Sequence, residues 1–435
     1  MRIDSIRIID FRGIQDKEFY FDPHFNVLIG ENGSGKTSVL EALAAALNPY
    51  VAISLGSNVR PIRKEDVRIE DFGPSIEDKI KTSLKVKGEI DGKLINWEIK
   101  KSRFYWGFMQ SDDQSLRNIS KEHFTILSEN GGKDLILPVF DYLGCGRLFS
   151  EPSKSLKTLK KGSRYEGYYN CLDSISSIKK FASWFKTMEL SSLQGDKDSK
   201  WNVQVIQNVV KNCLEGWETI VFNIKEDQLM AIRSTNQHEM LPFSYLSDGQ
   251  RNVIGMVADI AYRCVLLNPY LGLDAAKKSP GIVLIDELDL HLHPKWQRTI
   301  VEKLKETFPE IQFITTTHSP FIVQSLKSEE LTNIEEKYSD ADYLNKGIEW
   351  VSENIMGVEN VESSDRYSLN KELAKKYLVI TEKMKNTEDS TEIQKLESEL
   401  NGLENEMKLL IERNATNPAF AAFLELKRNK ATNTL

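Results

Sequence analysis

The chain has 435 residues, 40% of them apolar and 28% charged, and its 57 Lys and Arg against 64 Asp and Glu give a formal net charge of −7. That length exceeds one hydrophobic core, so two or three structural units are expected. The ordinary composition and a mean hydropathy of −0.39 exclude an integral membrane or disordered class, and the acidic balance excludes a molecule-wide cationic footprint for nucleic acid.

The N-terminus, "MRIDSIRIIDFRG", alternates like a strand and lacks the apolar core of a signal peptide. No apolar run is expected to span a bilayer. The four cysteines, Cys145, Cys171, Cys213 and Cys264, lack the paired spacing of metal sites. A cytoplasmic protein with free thiols and no membrane contact is expected.

Strands are predicted in "SIRIIDF", "KEFYF" and "FNVLIG" within residues 1–30, and a helix in "KTSVLEALAAAL" (36–47). Between them "GENGSGKTS" (30–38) places Gly30, Gly35, Lys36 and Thr37 in P-loop register, after an apolar strand and opening a helix. The glycines let the chain wrap so that backbone N–H groups of Asn32, Gly33, Ser34, Gly35, Lys36, Thr37 and Ser38 face phosphate oxygens. Lys36 adds a point charge between the β- and γ-phosphates of ATP, and the Thr37 hydroxyl is a ligand for Mg²⁺.

From about 79 to 108 the chain alternates, with Asp91-Gly92 at a hairpin turn, and "LILPVFDYLG" (135–144) reads as a buried strand. Residues 150–215 are polar, with helical patterns at "SIKKFASWFKTM" and "VQVIQNVVKNCL", before strands return near 219–234. Within that stretch "KSLKTLKKGSRYEGYY" (154–169) gathers five cations and three tyrosines. Such a run fits either a nucleic-acid contact or a solvated loop.

"SYLSDGQRN" (244–252) opens another helix, whose free N–H groups form a second anion site at Ser247, Gly249 and Gln250. "GIVLIDEL" (281–288) is an apolar strand ending in acids: Asp286 is placed to hold Mg²⁺, and Glu287 to polarise an attacking water. "WQRTIVEKLKETF" (296–308) reads as an amphipathic helix, and "IQFITTTHS" (311–319) as a buried strand closed by His318, placed to meet the γ-phosphate. The alternation implies an α/β fold with a parallel sheet. Two histidines at 291 and 293 lack further ligands nearby for a metal site. The economical use of a second anion site is a head-to-tail pair, each copy's P-loop facing the other's 246–250 turn.

The tail differs. Residues 366–385 read as a charged helix, and a second helix sets Ile393, Leu396, Leu400, Leu403, Met407 and Leu410 at heptad spacing. An antiparallel hairpin and an intermolecular coiled coil both fit that seam. The expected organisation is an ATPase lobe at 1–149, a polar, partly helical insertion at 150–240, a second ATPase lobe at 241–362 and a helical assembly region at 363–435.

In their order, "IRIIDFRGI", "GENGSGKTS", "LSDGQ", "VLIDELDLHLHP" and "TTTHSP" resemble the ABC-type ATPases of the RecF/SMC group. The resemblance implies a P-loop ABC-type head carrying a mostly helical insertion and a C-terminal helical hairpin. It also implies Arg12 near the nucleotide, 246–250 acting as the signature motif in trans, and 289–293 lining a dimer interface. Asp248 stands where transporter ATPases commonly have glycine, and Leu288 where many relatives have proline. "LPVFDYLGCGR" and "NPAFAAFLELKR" add a similarity to PtuA-like ATPases of Septu and retron anti-phage systems. That similarity implies ATP-dependent dimers or larger oligomers and a separate HNH nuclease partner. No nuclease activity is expected from this chain alone. A RecF/SMC-like DNA-repair or DNA-tethering ATPase is the alternative class; a transporter motor is disfavoured by the absence of a membrane segment.

Overall fold

The computed structural model describes residues 1–56, 59–68, 81–102, 111–130, 132–146, 163–174, 178–234, 239–335, 346–358 and scattered helical positions between 376 and 403. Two units separate at Val351/Ser352. The divisions expected at 150 and 241 fall inside the first unit.

The first unit is organised by three sheets. Strands β1 (Arg2–Phe11), β2 (Ile14–Tyr20), β4 (Lys81–Ile90) and β5 (Lys93–Ser102) form an antiparallel sheet ordered β2-β1-β4-β5. The β4–β5 connection is the expected tight Asp91-Gly92 turn. A parallel sheet takes β3 (Phe25–Ile29), β6 (Val139–Leu143), β10 (Gly281–Ile285), β11 (Ile311–Thr316) and β12 (Leu331–Asn333) in the order β12-β3-β11-β10-β6. Strands β3, β6, β10 and β11 are buried at every residue, which is why they read as continuous apolar runs rather than alternations. Register pairs Ile285 with Leu143 and Thr315, and Thr316 with Leu28, so these strands end along one edge, where ligands of open α/β sheets bind. A small antiparallel sheet, β7 (Trp217–Asn223), β8 (Gln228–Arg233) and β9 (Met240–Pro242), completes the unit.

Helix α1 (Lys36–Leu55) is longer than its predicted 36–47 and runs through Pro49. Proline deprives the Ala45 carbonyl of its helical N–H donor, but packing carries the helix on: Tyr50 and Val51 are buried, and Trp97 Nε1 donates to the adjacent Ala46 carbonyl (2.9 Å). By length and composition α1 passes for a membrane span, contrary to the expectation of none; it is mostly buried, as a core helix is. Helix α2 (Gln114–Asn130) lies in a stretch without a predicted element. Helices α3 (Ile178–Leu193) and α4 (Lys197–Cys213) carry the two helical patterns expected between 150 and 215, and α5 (Asp248–Leu267) follows the second anion motif.

The single amphipathic helix expected over 296–308 is instead two. His293 caps a short helix at Pro294–Gln297, the Gln297 amide ties back to the Leu292 carbonyl (2.8 Å), and the helix restarts at Ile300–Thr307.

In the second unit, Lys376, Tyr377, Val379, Ile380 and Lys383 are helical, and Tyr377 is buried. Leu396, Leu400 and Leu403 are helical and half-buried, while Lys395, Ser398 and Glu399 are exposed, the pattern a seam requires. Ile393, Met407, Leu410 and "NPAFAAFLELKR" lie outside the described residues.

Candidate nucleotide site

The loop after β3 turns sharply onto α1, with Gly35 as the helix N-cap at φ 102, a left-handed value that suits glycine. Asn32 and Gly33 are exposed, and Ser34 and Ser38 are respectively half-buried. The Ser34 hydroxyl oxygen is buried without a hydrogen-bond partner. Lys36 Nζ donates to the carbonyls of Gly30 (2.8 Å) and Glu31 (2.9 Å), which stretches the ammonium across the loop and leaves a third N–H donor. Burial lowers the Lys36 pKa, against the opposing pull of Asp286, Glu335, Glu287 and Asp289.

Parallel pairing brings the acids to this loop. Thr37 Oγ1 donates to Asp286 Oδ2 (2.9 Å), across 249 residues of chain. The other carboxylate oxygen accepts from Thr316 Oγ1 (2.7 Å), and Cys145 Sγ stands 3.4 Å from Oδ2. Glu287 lies just past β10 with φ 51, and its N–H donates to Thr316 Oγ1 (2.7 Å). Leu288 uses its N–H on the Thr316 carbonyl (2.8 Å), a bond a proline there would lose.

Asp289 accepts from Thr317 Oγ1 (2.6 Å) and from the His318 N–H (3.2 Å), which fixes the backbone of His318 and leaves the residue exposed at the sheet edge. Arg12 occupies the β1–β2 turn at φ 49, with its Nε donating to Asp66 Oδ1 (2.9 Å). That turn touches the P-loop: a methyl on Gly35 would lie 3.6 Å from Ile14.

Ser247 caps α5 with a reciprocal pair. Its Oγ accepts from the Gln250 N–H (3.4 Å), and Gln250 Oε1 accepts from the Ser247 N–H (3.0 Å), a capping box on an exposed cap residue. Asp248 forms an ion pair with Arg251, which accounts for an acid where transporters carry glycine. Gly249 is packed so closely that a Cβ would lie 2.3 Å from the His291 carbonyl oxygen. Asn252 Nδ2 donates to Leu290 O (2.6 Å), so α5 is docked on the segment that follows the acids.

In the 154–169 run, Arg164 is bonded to the carbonyls of Leu267, Gly132 and Leu135 at 2.6–2.8 Å, Tyr168 is fully buried with its hydroxyl on Pro138 O (2.8 Å), and Tyr165 stacks on Phe124. Arg164, Tyr165 and Tyr168 thus pack within the fold, while Lys154, Lys157, Lys160 and Lys161 lie outside the described residues. His123, which stands alone in the sequence, is buried and paired: Nδ1 meets Tyr50 Oη at 2.7 Å and Nε2 meets Asp91 Oδ2 at 2.8 Å. Arg60, Asp66, Glu41, Thr316 and Cys145 belong to the site's surroundings without having been singled out in the sequence: Glu41 and Thr316 sit beside motif residues, and Arg60, Asp66 and Cys145 come from other segments.

An AAA domain model matches residues 5–216, and a second, described as "AAA domain, putative AbiEii toxin, Type IV TA system", matches 189–324. Together the two AAA matches cover residues 5–324, and over that span the chain resembles P-loop ATPases of the AAA kind. It is 27% identical over 398 residues to the Retron Vc95 probable ATPase of Vibrio cholerae serotype O1 biovar El Tor, covering 77% of this chain and 74% of that protein. It is 25% identical over 417 residues to the Septu protein PtuA of Bacillus mycoides (strain KBAB4), covering 92% of this chain and 51% of that one, so it spans about half of that relative. A solved SMC head, bound to the C-winged helix domain of ScpA, aligns at 14% identity and a TM-score of 0.44 over 78% of this chain and 95% of its own.

Proposed function

We propose that this ATPase is a nucleotide-driven switch in anti-phage defence. Two copies close head to tail around ATP and Mg²⁺, and the closed state controls a separate effector, a nuclease of the HNH class. The observation that carries the reading is the 2.9 Å contact between Thr37 and Asp286, which joins the phosphate loop to the acids, on a unit that also exposes the cap of a second anion site. The names of the retron and Septu relatives support the defence setting.

The residues fit the ligand. The orphaned Ser34 hydroxyl and the third N–H of Lys36 suit a polyphosphate. Thr37 and Asp286 supply the hard oxygens that Mg²⁺ prefers. A Mg²⁺ held by them would supply positive charge to offset the charge of the phosphate oxygens. Lys36 and the N–H groups of 33–38 hold the phosphate chain, and Arg12 stands beside the loop. Glu287 accepts the proton of the attacking water, and its backbone is fixed by Thr316 so that the carboxylate starts in place. His318 stands at the same edge to meet the γ-phosphate. Ser247, Gly249 and Gln250 complete the site of the other copy, through the hydroxyl and the N-terminus of α5.

The test mixes two inactive variants. Lys36→Ala is expected to lose nucleotide binding, and Ser247→Arg to bind nucleotide without hydrolysing it. Mixed, the chains should recover hydrolysis that neither shows alone, because one of the two shared sites then has both halves intact. Wild-type turnover by Ser247→Arg, in a sample shown by light scattering to remain monomeric with ATP, would refute the shared site.

A further inference from the structure

Four charged side chains meet behind the P-loop, where β1, α1 and the segment 59–68 converge. Asp66 is fully buried and Arg60 nearly so. Arg60 Nη1 donates to Asp66 Oδ2 (2.8 Å) and Nε donates to Glu41 Oε2 (2.7 Å), while Nη2 bonds to both carboxylates. Asp66 Oδ2 also accepts from the Arg63 N–H (2.9 Å), and Oδ1 accepts from Arg12 Nε (2.9 Å). The Asp66 carbonyl takes the Arg12 N–H as well (2.7 Å), so one residue grips Arg12 by backbone and side chain together. Burial pushes the Asp66 carboxyl up, but the Arg60 and Arg63 hydrogen bonds outweigh it and hold the group below the usual carboxylate range.

Stability alone is a poor reason for such a cluster. Buried ion pairs often stabilise no more than apolar residues of the same volume, because both charges must leave water. What the cluster does supply is direction, since a guanidinium fork on a carboxylate fixes an angle as well as a distance. Its outermost member differs from the rest. Arg12 keeps 29% of its side chain exposed. Its backbone, like that of Asp10, is held at φ 49, a region non-glycine residues avoid unless their surroundings enforce it. Ile14, which follows this turn, stands where a Cβ on Gly35 would meet it, and Glu41, 3.7 Å from Arg12 Nη2, lies four residues beyond Thr37 on α1. One edge of Arg12 is therefore anchored, on a turn that touches the phosphate loop.

We propose that Asp66 and Arg60 are positioning residues for nucleotide binding: through Asp66 they hold the Arg12 guanidinium beside the P-loop, where it meets the anionic phosphate chain of the nucleotide. The inference rests on the ATP-site reading above. It places the segment 59–68 in the function of the site rather than in a connection between α1 and β4.

A double-mutant cycle on the full chain tests it, read by equilibrium binding of a fluorescent ATP analogue, with thermal melting as the control for folding. Arg12→Ala and Asp66→Asn should each weaken binding about tenfold, the loss of one charge-assisted bond. The double variant should bind no more weakly than either single one, because Asp66 acts through Arg12. If Asp66→Asn does not fold, Arg60→Lys takes its place in the same cycle, keeping the charge and losing the fork. Additive losses in the double variant, or unchanged binding by a folded Asp66→Asn or Arg60→Lys chain, would overturn the proposal. Lys36→Ala in the same assay separates the two claims: if it binds like wild type, the ATP-site reading itself fails, whatever Asp66 does.

Discussion

Thr316 shows what a single hydroxyl does in this site. It ends β11 fully buried, donates to Asp286 Oδ1 (2.7 Å) and accepts the Glu287 N–H (2.7 Å), so one oxygen orients both acids. Glu287 needs that anchor, because a non-glycine residue at φ 51 carries roughly 1–3 kcal/mol of backbone strain. Thr316→Val keeps the shape and removes the hydroxyl. Losing a buried hydrogen bond costs on the order of 1–3 kcal/mol, and at 1.4 kcal/mol per tenfold, kcat should fall about tenfold to a hundredfold, with nucleotide binding nearly unchanged. Phosphate-release kinetics beside a binding isotherm check it; a folded Thr316→Val chain with kcat within about twofold of wild type would show the hydroxyl to be dispensable. Lys36, Thr37, Asp286 and Glu287 were legible in the sequence because their chemistry imposes a local spacing. Thr316 lay inside a quoted motif, but a buried threonine in an apolar strand is not unusual and only the fold shows its partners; Asp66 reaches the site from a segment with no motif.

Elements were legible where burial left a pattern. The strands β3, β6, β10 and β11 lie inside the predicted apolar runs because both of their faces are covered. Helix α2 gave no such signal, and its inner face explains why. Leu116, Ser120 and His123 are all buried, but only the first is apolar; Ser120 donates to Tyr50 O (2.7 Å) and His123 pairs with the Tyr50 hydroxyl. Helix α1 outran its prediction because tertiary contacts hold the turn around Pro49. In the proposed switch, α5 is the element to test, since its first turn is pressed on the segment 289–293 at Gly249. An added methyl there meets backbone rather than a side chain that could swing away. Gly249→Ala should therefore shift the start of α5 and lower stability by about 1–3 kcal/mol, the usual cost of overpacking. Hydrolysis should fall further than nucleotide binding, because the P-loop of the same chain is untouched. Unchanged melting and turnover in Gly249→Ala would mean that this contact relaxes without cost.

At the scale of the whole molecule, the chemistry accounted for is that of one phosphate-transfer site. A nuclease needs a metal-binding set of its own, and the six histidines show how little is left to build one. His123 is buried against Tyr50 and Asp91. The carbonyl of His24 accepts the Phe313 N–H, which places it at the start of β3. His293 caps a helix, and His291 and His318 stand in the segments that follow the parallel strands; His238 lies outside the described residues. Among the described residues, no three His, Cys, Asp or Glu side chains gather in a metal-binding group. On the separate-effector proposal, the purified chain is expected to leave duplex and single-stranded DNA intact with Mg²⁺ or Mn²⁺, with or without ATP, while still hydrolysing ATP. Cutting should require a second subunit and should respond to the nucleotide. Glu287→Gln, which removes the base and keeps the shape, makes the assay decisive: it should stall the switch in its ATP-bound form and change effector activity without any change in effector sequence. DNA cleavage that stays with this chain through successive columns and survives Glu287→Gln would place the nuclease in this polypeptide and end the separate-effector reading.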